Sequence, residues 1–548
     1  MIDCAAENVF AFKFCRPTVT TLRLPKKPAA VAPNKKKRGI RPGHKIGAGR
    51  APVPVQEAAS ELSSPKRRVP AKEPSEPPAA KRSDIPRAAL IPPPTAAAAH
   101  LRVPPLSSFS PRKDRAEESS LAEDSLARVF LVASKPLCAV FSGRSLSAAL
   151  AEAEADLPPP LRAQVHELVY GVLRRQGWGD ALLERLLSKP GLEAGVRALL
   201  LLALYRMESR PEAAYLITDN AVNAAGVLSQ GKAGGLVNAV LRNYSRRRTE
   251  LLAEIENDMA VQYCHPAWWL RRLRTAYPDD WKRICLADNA QPPLTLRVNT
   301  RRITRADYLQ KLTLAGIDAV AMEDFSQAIR LMQAVRVDTL PGFSEGLFAV
   351  QDAGAQRAVE YLDVQDGQRV LDACAAPGGK STHILQNYSV DLLALDIDAR
   401  RCTRIEENFQ RLGLQATLKV GDAAQPASWW DGQPFDRILL DVPCSASGVV
   451  RRHPDAKWLR RSADIAALAQ TQQSLLAASW SLLAPGGKLL YATCSVFPQE
   501  NGEQIRTFLA KHTDAQLIEL LPGQVLGVQL LPNAVHDGFY FALLLKHA

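Results

Sequence analysis

Apolar positions change their period twice along this chain. Between Leu121 and Ile255 they recur every three or four residues, as in Val165, Leu168, Val169, Val172 and Leu173, which would share one face of a helix. That spacing predicts helices over 161–175, 180–187, 196–207, 213–228 and 235–256, punctuated by Pro190-Gly191, Pro211 and Gly234-Gly235. A mixed stretch follows, with a helix expected over 265–276 and a short strand over 294–299 ahead of Arg301 and Arg302. From Val364 short apolar runs at 369–373, 392–395, 416–420, 437–440 and 488–492 alternate with helical segments. Strands separated by helices make a parallel, doubly wound sheet. The run 539–545, after Asp537-Gly538, is expected as an edge strand completing it. The longest unbroken apolar run, 198–205, is far short of the ~20 residues that span a bilayer.

Charge separates one further region. Residues 1–118 hold 23 basic and 10 acidic side chains, which accounts for the whole net charge of +13, and 19 of the 39 prolines. With four phenylalanines as its only aromatics, this segment cannot bury enough apolar surface to offset the entropy of ordering, so a disordered arm is expected. Its clusters Lys35–Arg38 and Lys66–Arg68 would attract phosphate backbones, or would serve only as a solvated tail. The chain therefore divides into a basic, proline-rich arm (1–118), a helical domain (119–262), a mixed connecting subdomain (263–358) and an α/β domain (359–548). Nine scattered cysteines without a CxxC pair suggest a reducing compartment, hence the cytoplasm. Nine histidines without ligand spacing suggest no metal.

Ligands of an open parallel sheet bind at the carboxyl ends of its strands. The first run ends in Asp372-Ala373-Cys374-Ala375-Ala376-Pro377-Gly378-Gly379-Lys380, whose small residues allow close backbone approach at a helix N-terminus. It matches neither GxxxxGK[ST] nor GxGxxG. The second run ends at Asp396, 24 residues beyond Asp372, suited to a ribose diol. The third ends at Gly421-Asp422, which could accept from an adenine amino group. Each aspartate alone reads as a cap or turn residue; together, after successive strands, they point to a nucleoside cofactor. The fourth run leads into Asp441-Val442-Pro443-Cys444-Ser445 and the fifth into Thr493-Cys494-Ser495. Isolated cysteines usually serve as small buried hydrophobes, but two at neighbouring strand tips suggest chemistry.

The DACAAPGGK, LDID, GDA, DVPCSASG and YATCS segments resemble those of the RNA (cytosine-5) methyltransferases of the RsmB/NOP family, and HELVYGVLRR with GGLVNAVLRN resembles a NusB-type RNA-binding domain. The combination is similar to the bacterial 16S rRNA enzymes of that family and covers the chain from about Leu121 onward. The resemblance implies a NusB-like all-α domain followed by a class I, Rossmann-like S-adenosyl-L-methionine-dependent domain. The implied reaction is methylation of carbon 5 of a cytosine in small-subunit rRNA through a cysteine–cytosine intermediate. It assigns the nucleophile to Cys494 and product release to Cys444. Cys374, Ala375, Ala376, Pro377, Gly378, Gly379, Lys380, Asp396, Asp422 and Asp441 would line the cofactor site, and Asp441 could serve the base instead. Val442 stands where the family motif more often has alanine. The segment 451–461, rich in arginine, offers Arg451, Arg452, Lys457 and Trp458 for RNA contact and base stacking, or else is an ordinary charged loop. A monomer without membrane association is expected. Two alternatives are the same chemistry on tRNA or another rRNA site, and a non-catalytic RNA-binding assembly factor.

Overall fold

The computed structural model describes residues 121–548 apart from positions 123, 156 and 190. The expected arm, 1–118, lies outside the described residues. The helical part comprises α1 (Leu126–Phe141), α2 (Leu146–Glu154), α3 (Pro159–Arg174), α4 (Gln176–Leu186), α5 (Ala194–Ser209), α6 (Ala214–Leu228) and α7 (Gly234–Ile255). The five helices expected from periodicity are α3 to α7, with ends displaced by a few residues. The spacing did not disclose α1 or α2. Helix α1 is buried along nearly all of 129–140, and Pro136 interrupts its interior, where a sequence reading expects a helix to end. Its start is fixed by Ser125, whose Oγ accepts from the Arg128 amide at 3.2 Å.

Helices α8 (Ala267–Ala276) and α9 (Trp281–Asn289) lead into the connecting part. There β1 (Leu294–Val298), α10 (Arg305–Leu314), β2 (Ala319–Ala321), β3 (Ala328–Leu331) and β4 (Phe348–Val350) form a four-stranded antiparallel sheet of order β2-β3-β1-β4.

The last part runs α11 (Ala353–Leu362), β5 (Arg369–Asp372), α12 (Gly379–Asn387), β6 (Asp391–Asp396), α13 (Ala399–Leu412), β7 (Thr417–Val420) and β8 (Phe435–Asp441). It continues with α14 (Asp464–Ser481), β9 (Leu483–Thr493), α15 (Gly502–Leu509), β10 (Ala515–Ile518), β11 (Val528–Leu530) and β12 (Phe539–Lys546). The sheet order is β10-β12-β9-β8-β5-β6-β7, and β11 pairs with β12. Strands β5 to β9 are parallel, registered for example by Leu371↔Ile438 and Leu439↔Leu490. Alternate residues feed two different cores: Leu371, Ile438, Leu440, Leu489 and Tyr491 on one face, Val370, Leu439, Leu490 and Ala492 on the other. Covering both faces leaves each strand a continuous apolar run, which is why the strands are legible in the sequence.

One expectation is corrected. The run 539–545 is not an edge strand: β12 lies between β9 and β10 and is antiparallel to both, so the sheet is mixed. Its residues alternate into the same two cores, Tyr540, Ala542 and Leu544 against Phe539, Phe541 and Leu543. Among the described residues no helix is long and apolar enough to cross a membrane.

Candidate active site at the strand ends

The chain leaves β5 toward β6 and β7 on one side and reaches β8 and β9 on the other, so the strand order reverses between β5 and β8. At such a reversal the loops diverge and leave a crevice beyond the carboxyl ends. Every candidate cofactor and cysteine residue lies at the end of one of these strands, on the turn that follows it or at the start of the next helix.

The turn after β5 passes through Gly378 at φ +92°, a left-handed conformation, and Gly378 caps α12. A Cβ there would press on Ile405 at 3.2 Å, so both the conformation and the space call for glycine. Asp372, fully buried at the tip of β5, accepts from Ser381 Oγ at 2.6 Å and ties the strand to the helix. Burial pushes its carboxyl up to about 7, against the pull of that hydrogen bond. Asp396 holds the loop from the next strand, accepting from the Ala376 amide at 3.1 Å and the Asp398 amide at 3.1 Å. Arg401 approaches the same carboxylate at 3.4 Å. Asp422, after β7, accepts from the Ala424 amide and from Gln425 Nε2, both at 2.9 Å.

Lys380 reaches across to β8 and donates to Asp441 Oδ2 at 2.5 Å. Burial alone would depress this ammonium, yet Asp441, then Asp372 and Cys494, hold it above its ordinary value. The crevice is otherwise acidic. Burial first, then Asp441, Asp372 and Asp396, push the Cys374 thiol up, so it stays protonated and unreactive.

Cys444 and Cys494 come together: their sulfurs are 3.3 Å apart, on the turns after the paired strands β8 and β9. Cys444 is buried and Cys494 partly exposed. The hydrogen bond to Cys494, followed by burial and the charges of Cys494 and Glu500, pushes the Cys444 thiol well above its usual value.

The basic segment is another matter. Arg451 is 2% exposed, pairs through Nε with Asp537 and donates from Nη1 to Asn533 O at 2.6 Å. Arg452 pairs with Asp537 through Nε and gives Nη2 to Asp352 at 2.9 Å and to Pro293 O at 3.1 Å. Lys457 is fully buried and donates to Arg174 O at 3.0 Å and Asn289 Oδ1 at 2.6 Å. Trp458 packs on the helical core and donates Nε1 to Leu173 O at 2.7 Å. Leu173 and Arg174 end α3, whose last carbonyls have no partner within the helix. Asp455 does the converse for α2, accepting from the Leu146 amide at 2.9 Å, at a start that its own Ser145 leaves without a side-chain cap. The expectation that Arg451 and Lys457 face RNA is thus corrected: both are buried and clamp neighbouring parts of the protein, while Arg452 and Trp458 stay half-buried beside them.

Sequence reasoning overlooked Glu500 and the serines beneath the cysteines. Glu500 is buried six residues after Cys494, and nothing in hydropathy or spacing marks it.

The model of the 16S rRNA methyltransferase RsmB/F family matches residues 359–545. That of the RsmF/B-like ferredoxin-like domain matches 265–338, and that of the NusB family 121–246. The chain is 43% identical over 420 residues to the ribosomal RNA small subunit methyltransferase B of Yersinia enterocolitica, an alignment spanning 76% of this chain and 98% of that protein. It is 44% identical over 413 residues to the protein of the same name from Vibrio vulnificus, spanning 74% of this chain and 96% of that one. Among solved structures, that of PH0851 shares the fold, with a TM-score of 0.65 at 24% identity, covering 76% of this chain and 99% of the other.

Proposed function

The chain belongs to the 16S rRNA methyltransferase RsmB/F family, and on that premise we propose that it methylates carbon 5 of a cytosine in small-subunit rRNA, with S-adenosyl-L-methionine as donor and Cys494 as nucleophile. The cofactor supplies a methyl group made electrophilic by a sulfonium. The residues at the strand ends fit such a group: Asp396 and Asp422 offer acceptors on adjacent strands for a ribose and an adenine amino group. The carboxylates of Asp396 and Asp441 suit a cation, and the turn Cys374–Lys380 brings bare backbone close.

Carbon 5 of cytosine is a poor nucleophile. Addition of the Cys494 thiolate at carbon 6 would turn the ring into an enamine, and its carbon 5 could then take the sulfonium's methyl group, releasing the donor as a neutral thioether. Loss of the carbon 5 proton to a base and departure of the Cys494 thiolate would then restore the aromatic ring, a release that Cys444 would assist. Covalent catalysis thereby replaces one difficult step with easier ones. The target base must first leave its stack to reach the crevice.

The observation that carries this reading is the 3.3 Å between two sulfurs at the tips of β8 and β9, next to the glycine turn. Cys494→Ala should reduce methyl transfer to background in an assay with radiolabelled donor and 30S-derived rRNA, while donor binding stays within about twofold. Cys444→Ala should accumulate a covalent RNA adduct on a denaturing gel. Normal turnover by Cys494→Ala refutes the nucleophile, and no adduct from Cys444→Ala refutes the release role. Bisulfite sequencing of rRNA and tRNA from cells with and without the gene identifies the substrate.

A further inference from the structure

A carboxylate lies buried beneath the two thiols, and the reaction as proposed makes no use of it. Taking such a charge out of water costs several kcal/mol unless its lone pairs are met. Glu500 Oε1 accepts from the Ser445 amide at 2.8 Å and from Gln472 Nε2 at 3.1 Å. Its Oε2 accepts from Ser445 Oγ at 2.5 Å and Ser495 Oγ at 2.6 Å. Among the described residues no basic side chain forms an ion pair with it. All its donors but one come from two serines, and each serine directly follows one of the cysteines. Ser447 joins the two turns again, lying 3.0 Å from Ser445 Oγ and 2.9 Å from Ser495 Oγ. The Gly448 amide adds a direct bond to Cys494 O at 2.8 Å.

We propose that Glu500 is a positioning residue for the two thiols: by gripping both turns with one carboxylate it holds Cys444 against Cys494 and keeps a negative charge beside Cys444. This rests on the reading of Cys494 as nucleophile and Cys444 as releasing group. The groups facing Cys444 are the Cys494 thiol, the Glu500 carboxylate, the Tyr491 phenol, which donates to Glu500 O at 2.7 Å, and Arg460, whose Nη2 is 3.4 Å from Cys444 O. The negative charge of Glu500 is among the causes that push the Cys444 thiol up. Remove the charge and keep the shape, and Cys444 releases its proton more readily.

The test labels the full chain with iodoacetamide across pH 6–10 and quantifies each cysteine by peptide mass spectrometry, for wild type, Glu500→Gln and Ser495→Ala. Glu500→Gln should raise the Cys444:Cys494 labelling ratio at pH 8 by more than about twofold, since the negative charge beside Cys444 is gone. Ser495→Ala loosens packing but keeps the charge, and should leave the ratio within about twofold. An unchanged ratio in folded Glu500→Gln, or an equal rise in Ser495→Ala, overturns the proposal. Should Glu500→Gln not fold, the wild type carries the test: Cys444 must label with a midpoint well above that of an ordinary thiol, and an ordinary or lower midpoint overturns it. Labelling needs neither RNA nor methyl donor. A chain with the expected ratios but no methyl transfer would therefore sink the proposed function and leave the role of Glu500 standing.

Discussion

The turns bearing Cys444 and Cys494 and the segment 451–458 that follows the first of them are both rich in buried polar atoms, and they use those atoms in opposite ways. Beneath the cysteines, Glu500 and three serines satisfy one another within two adjacent turns, and the two sulfurs are left side by side at 3.3 Å. In the segment 451–458 each charge is drawn inward by a partner from a distant element: Asp537 before β12, Asp352 at the start of α11, the last carbonyls of α3. The first arrangement conserves reactivity and the second uses up charge to join parts of the chain. A basic residue next to a presumed substrate pocket is therefore no guide to a substrate contact until its partners are known.

The contrast can be broken by mutation. Arg451→Met should be the most damaging change to the seam. It leaves Asp537 buried and short of a partner, and loss of one member of such a pair costs about 3–5 kcal/mol in denaturant unfolding. Were Arg451 an RNA contact, stability would hold and RNA affinity would fall. Lys457→Met should cost about 1–3 kcal/mol at pH 7, because Asn289 Oδ1 and Arg174 O lose their donor inside the protein.

Lys457 also predicts a pH dependence. Burial pushes its ammonium down to about 8 in the folded chain, while the unfolded value is about 10.4. Between these values the unfolded chain holds more protons, so stability attributable to this residue rises with pH from about 8 to 10.4 and is flat below. Wild type should therefore gain on Lys457→Met as pH is raised through that window, measured by urea unfolding at several pH values. A gap that does not widen would mean that Lys457 titrates as an exposed lysine. The smallest effect is expected for Trp458→Phe, which keeps most of the packing and loses the bond to Leu173 O, about 1 kcal/mol.

Local pattern carried much of the architecture. A strand covered on both faces must be apolar throughout, so β5, β6, β8 and β9 announced themselves, and the small residues of Cys374–Gly379 marked a close backbone approach. The same logic missed α1, whose interior carries Pro136, a residue that reads as a helix breaker. It also failed for the position of β12, since pairing partners are not written in a strand's own composition.

The sequence by itself determined which residues could do chemistry: two cysteines and a set of aspartates, each placed just past an apolar run by short-range periodicity. Only the tertiary structure decided that the sulfurs meet at 3.3 Å, that Glu500 lies beneath them, and that Arg451 and Lys457 are hidden. The physical reason is range. Whether a stretch forms a strand depends largely on neighbours a few residues away. The protonation and exposure of a polar group depend instead on burial and on charges that arrive from elsewhere in the chain, such as Asp537, 86 residues from Arg451, and Arg174, 283 residues from Lys457.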